Sequence, residues 1–254
     1  MAVGTHRSSR VTHHLHSSGG FTLTEALVAL ATGLAVLCAA FEGLRHFQQR
    51  LTNQQQRIAA IGDARLGLQV MEAELRLAGT GTPPAAPALV KAEEDEVEFQ
   101  ANLSGLVTTL TEAASIGQVD LAVQSGTGWP KGKRVVLCGG SQCVEHRLAR
   151  DGRSHGLTVT TPLTQFFAAG SVVTVTNQVR YYLREDDKGD IGLMRMVDGG
   201  ANALIGGVGI FRMSYYDRQG RPSRDQRDVT RMKIEFGLKD PRWQTVHEIG
   251  IKSR

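Results

Sequence analysis

The feature that most constrains this chain is "SSGGFTLTEALVALATGLAVLCAAF", residues 17–41. From residue 21 to 41 the run is apolar apart from one acid, Glu25. As a helix it would span ~31 Å at about 1.5 Å per residue, which matches a hydrocarbon core roughly 30 Å thick. Arg7 and Arg10 precede it, with no acid beside them. That positive flank places residues 1–20 in the cytoplasm and everything after about residue 42 across the membrane. A cleavable secretory signal cut after Ala39-Ala40 is one rival reading, and an ordinary signal anchor is another. Glu25 counts against both, because a carboxylate in apolar surroundings is costly and implies a partner.

The rest of the chain is long and apolar enough to fold. It has 254 residues, 41% of the chain is hydrophobic, and the net charge is +4, of which Arg7 and Arg10 supply two. One large domain, or a domain with an extension, fits that length. A balance this close to neutral makes no general claim on nucleic acid.

Beyond the apolar run a helical period continues. Leu44, Phe47, Leu51, Ile58, Ile61, Leu68, Met71 and Leu75 recur at three-, four- and seven-residue spacing, with Gln54 and Arg65 filling two slots. The pattern predicts one unbroken helix over about 22–77, amphipathic in its second half. Two polar seam positions favour packing on the chain's own head over a coiled coil. Gly79 suits the C-terminal cap, and Pro83-Pro84 cannot continue a helix. Downstream, candidate strands fall at 96–101, 118–123, 134–137, 156–160, 171–183, 191–197, 208–216, 230–238 and 245–251. Alternation is plain in "VVTVTNQVRYYL" and "VTRMKIEFGL". The expected class is α+β: a long N-terminal helix packed on an antiparallel sheet.

Few motifs carry chemistry. Cys138 and Cys143 flank "GGSQ", and a hairpin would bring such Cα atoms into disulfide range. A zinc site from the same thiols with His146 and His155 is the alternative, as are free thiols. The expected extracytoplasmic side favours the disulfide. Cys38 reads as an apolar packing residue. "EDDKGD" lacks the ligand spacing of a calcium loop and reads as a charged turn. "AEEDEVE" reads as a solvated acidic rim and "RQGRPSRDQRDVTR" as a solvated basic loop. "GTGWPKGKR" fails as a phosphate loop, since Thr127 stands five before Gly132 and Arg134 replaces the hydroxyl after Lys133. No nucleophile–base constellation has assignable spacing. An enzyme is not expected, and neither is a cofactor, a metal, a specific nucleic acid or a small-molecule ligand.

The residues "GGFTLTEALVALA" resemble the class III signal of type IV pilins and type II secretion pseudopilins. "MEAELRLAGTG" is similar to the signature that ends the long helix in PilW-type minor pilins, with Thr80 where an aromatic is usual. The resemblance implies a pilin-like fold and cleavage between Gly20 and Phe21 by a prepilin peptidase. It also implies methylation of the new Phe21 amine, and an assembly role for Glu25, the fifth mature residue. The domains it implies are a leader over 1–20, a transmembrane and assembly half-helix over 21–42, an amphipathic half over 43–79 and a β-rich head over 80–254. The implied function is a minor pilin that helps initiate pilus assembly, with other minor pilins and the major pilin as partners. It would reside in the inner membrane with a periplasmic head, and in the pilus after assembly. A J-like pseudopilin of type II secretion, or a membrane-anchored enzyme or receptor, are the alternatives.

Overall fold

A computed structural model describes residues 22–239 and 243–251. The chain divides into two compact units, residues 1–56 and 57–254. One helix, α1 (Leu23–Arg76, 54 residues), runs through the division. It lies within a residue of the range the periodicity predicts.

In the first unit every described residue is exposed. The helix forms here because Ala and Leu dominate and Pro is absent. Its start is set by Thr22. The Thr22 Oγ1 accepts from the Glu25 N–H at 3.4 Å, and the Thr22 N–H donates to Glu25 Oε2 at 3.1 Å. This is a reciprocal capping box, which satisfies two backbone donors that the first turn would otherwise leave open.

In the second unit α1 buries Ala64, Gly67, Leu68, Met71 and Leu75 on one face. It then tightens: Leu77 and Ala78 donate to carbonyls three residues back. Gly79 follows at φ +80°, a backbone region that L side chains rarely enter, and its N–H crosses to Gln100 O at 2.8 Å.

Thirteen strands follow among the described residues. They are β1 (Leu89–Ala92), β2 (Glu96–Ala101), β3 (Val107–Thr109), β4 (Asp120–Ala122), β5 (Arg134–Gly139), β6 (Gln142–Arg147) and β7 (Gly156–Thr158). Then come β8 (Val172–Glu185), β9 (Ile191–Val197), β10 (Gly200–Ile205), β11 (Val208–Tyr216), β12 (Arg231–Leu238) and β13 (Gln244–Gly250). All pairings between them are antiparallel.

The 14-residue β8 is the spine of this unit. Its first half pairs with β5 and β3, and its second half pairs with β2 and β9. Side chains alternate along a strand, so its odd positions share one face. Val173 and Val175 enter one hydrophobic core, whereas Val179 and Tyr181 enter another. The second of these also takes the buried face of α1 and the sheet β11–β12–β13. The other core is built within 110–175 around Trp129, Leu148 and Phe167, and no α1 residue belongs to it.

Three expectations need correction. The head is not one sheet on a helix: it has eight-, three- and two-stranded sheets among the described residues, over two cores. The apolar stripe of α1 does not pack along its length, since Leu44, Phe47, Leu51 and Ile58 are exposed. Strands β1, β3, β6 and β10 were not expected. β6 ("QCVEHR") and β10 ("GANALI") are mostly solvent-facing, so neither shows apolar alternation. Hairpin pairing to β5 and β9 creates them instead. The expected strands 118–123 and 156–160 shorten to β4 and β7, each three residues.

Candidate functional site

The largest chemically distinctive surface is the N-terminal helix. Leu23, Leu27, Val28, Leu30, Leu34, Val36, Leu37 and Phe41 are all exposed, and they occur on every side of α1. A helix that is apolar all round needs lipid or other helices about it. It is the one helix among the described residues long and apolar enough to cross a membrane, and it is compatible with a single-pass membrane protein. Cys38 lies in this stretch as an exposed free thiol. Gly33 meets nothing within 4 Å at its Cβ position, so that side of the helix is open to close approach.

Glu25 stands at the head of this surface. Its Oε2 accepts from both the backbone N–H and the hydroxyl of Thr22, at 3.1 and 3.0 Å. A plain membrane anchor therefore does give this carboxylate a local partner, contrary to the expectation from sequence. Gly20 and Phe21 lie outside the described residues.

A second constellation fixes the helix to the sheet. Glu74 on α1 accepts from Tyr181 Oη at 2.5 Å and from Arg195 Nε at 2.9 Å. The two charged side chains are 13% and 26% exposed, so the pair is largely shielded. Burial, then the hydrogen bond to Glu74, raises the Tyr181 hydroxyl well above its ordinary value. Tyr181 therefore stays a neutral donor. Sequence reasoning passed over all three residues. The available signal was Glu74 itself, an acid one residue before the buried Leu75.

Cys138 and Cys143 form a disulfide, with Cα atoms 4.2 Å apart. They are directly opposite in the β5–β6 hairpin, whose turn is Gly140-Ser141. Both sulfurs are thus consumed, which removes them from the zinc alternative. His146, in the same hairpin, is buried. Its Nδ1 meets Thr161 Oγ1 at 2.9 Å, whereas Nε2 has no partner among the described residues. Burial pulls this imidazole below its ordinary value.

The remaining motifs resolve into structure. In "GTGWPKGKR", Trp129 belongs to a core, and the Lys131 N–H donates to Asp151 Oδ1 at 2.7 Å. In "EDDKGD", Asp186 Oδ1 accepts from the N–H groups of Lys188 and Asp190 and closes the β8–β9 turn. The acidic rim pairs Glu94 with Arg212 at 2.5 Å and Glu93 with Lys91 at 3.0 Å. In the basic loop, Asp217 takes Arg221 Nε at 2.8 Å.

No family model, curated protein or solved structure matches this chain. The functional reading therefore rests on its own residues.

Proposed function

We propose that this chain is a pilin-like filament subunit, a minor pilin of the PilW type, which is stored in the inner membrane and built into a type IV pilus. One observation carries the reading: "GGFTLTE" stands at the head of a helix that is apolar on every side over 23–41. Prepilin peptidase would cut between Gly20 and Phe21. The new amine of Phe21 then begins the chain one residue ahead of the helix cap.

Glu25 suits an assembly role even though it caps its own helix. Both of its hydrogen bonds use Oε2, and Oε1 has no partner among the described residues. One oxygen holds the first turn while the other is free for an amine, either its own or that of a neighbouring subunit. In low dielectric, pairing two otherwise isolated charges is worth several kcal/mol, roughly, over leaving them apart. That preference registers adjacent helices. The helix leaves lipid for a filament core without changing its surface, because both environments accept an apolar cylinder. The head presents its sheets to other minor pilins, probed through the same register.

Intact-mass analysis of the purified mature chain tests this. The expected N-terminus is Phe21 carrying one methyl group; an intact Met1 end, or a cut after Ala40, defeats the proposal. Glu25→Ala should then reduce incorporation into filaments while leaving the head folded.

A further inference from the structure

Around the start of β5 lies a cleft of about 400 Å³, lined chiefly by Lys131, Lys133, Arg134, Arg147, Gln178 and Asp198. Arg134 and Arg147 are directly opposite each other in the β5–β6 pair. Like charges in that position weaken an antiparallel pair. The carboxylates nearby are already engaged. Asp198 takes the Gln178 N–H at 3.0 Å on Oδ1, and Asn177 and Lys133 at 2.8 and 2.9 Å on Oδ2. Burial alone would raise Asp198, but Lys133, the Gln178 N–H and Asn177 outweigh it and hold the carboxyl below its ordinary value. Glu145 meets Arg134 Nε at 3.2 Å, and Asp151 takes the Lys131 backbone N–H.

Two cations have no carboxylate partner among the described residues. The Lys131 ammonium has no partner among the described residues, and Arg147 reaches only Gly132 O, at 3.4 Å. We propose that this cleft binds a dianionic phosphate group, held by Lys131, Arg134 and Arg147. The Arg147 guanidinium fork suits a pair of phosphate oxygens, Lys131 adds a point charge, and Arg134, whose Nε meets Glu145 and whose Nη2 donates to Gln178 at 3.3 Å, adds its positive field. Lys131 and Arg147, the two cations here without a carboxylate partner, can both meet the oxygens of a phosphate monoester. A phosphodiester strand carries one charge per phosphate and needs an extended basic track, which this local cleft does not form. The site is independent of the filament reading.

Calorimetric titration of the full chain in detergent, at physiological salt, tests it with orthophosphate and with glycerol 3-phosphate. One saturable site is expected for at least one of them. Binding of orthophosphate alone marks a free-ion site; binding of both marks one that admits a substituent. The Lys131→Gln/Arg147→Gln variant should lose about tenfold or more in affinity, at one to two charged hydrogen bonds lost. Lys239→Gln, whose ammonium pairs with Asp190 outside the cleft, should bind unchanged. Circular dichroism verifies folding, and the exposed Arg147→Gln single variant carries the test if the double variant does not fold. Absence of saturable binding, displacement by equimolar chloride, or full affinity in the variants overturns the proposal.

Discussion

Glu74 of α1 and Arg195 of β9 form a two-point ion pair: Arg195 Nε lies 2.9 Å from Oε2 and 3.2 Å from Oε1, and Nη2 also donates to Oε1. Tyr181 of β8 donates to the same carboxylate. Three elements distant in sequence thus share one acid. Because both charges are mostly shielded, removing one strands the other. Arg195→Met should cost about 2 kcal/mol, below the figure for a fully buried pair because some solvent screening remains. Glu74→Leu in the same chain should recover part of the loss. Urea unfolding of the four members of this mutant cycle measures the coupling; additive effects would show that the pair contributes nothing jointly.

Two helical glycines should respond oppositely to alanine. At Gly67 an added Cβ would sit 2.5 Å from Ile205 Cγ1 and 2.8 Å from its Cδ1. Cγ1 is next to the branch point, so relief needs a new rotamer or a shift of β10. Gly67→Ala is expected to destabilise by about 1–3 kcal/mol despite its better helix propensity. At Gly62 nothing lies within 4 Å. Gly62→Ala should stabilise by up to about 1 kcal/mol. Thermal melts of the two variants decide, and the same sign for both would contradict the packing described.

Acid should weaken the core that contains the disulfide hairpin through His146. Its burial depresses the folded-state affinity for a proton below the ordinary value of 6.5. The unfolded chain therefore binds that proton first as pH falls below 6.5, and stability drops from there until the folded form also protonates. Above 6.5 both forms are neutral and the effect vanishes. His146→Gln should flatten the stability profile in that acidic window. Denaturant midpoints measured from pH 7 down to pH 5 for both proteins provide the comparison; parallel profiles would exclude His146 as the source.

Reducing Cys138–Cys143 should act locally. The bond closes a loop with a sequence separation of only 5, so the loop-entropy contribution is about 2 kcal/mol. The core around α1 contains neither cysteine. Hydrogen exchange should accelerate across β5 and β6 while 64–75 of α1 keeps its protection. Uniform acceleration would mean that the two cores unfold as one unit.

Much of this fold was legible because two periods dominate it. The 3.6-residue period located α1 to within a residue, and the strand-forming runs located β2, β9 and β11 with their observed bounds. Partners were less legible. The alternation in β8 announced a half-buried strand, yet nothing in "VVTVTNQVRYYL" says that Val173 and Tyr181 enter different cores. Leu51 and Leu68 look equivalent in the helical stripe, but one is exposed and the other buried. Leu68 belongs to the core that α1 shares with the sheets of its own unit, and that core draws on residues more than a hundred positions away.

The sequence by itself determined the N-terminal half of α1 and its apolar surface, because those depend on neighbours within one helical turn. It also put Cys138 and Cys143 within disulfide range, since the hairpin that joins them is local. Only the tertiary structure decided that Glu74, Tyr181 and Arg195 meet, that Gly67 lies under Ile205, and that Arg134 and Arg147 face one another beside Lys131. These are consequences of strand register and helix docking. Both follow from burying many weak apolar contacts at once, and no short stretch of the chain encodes that sum.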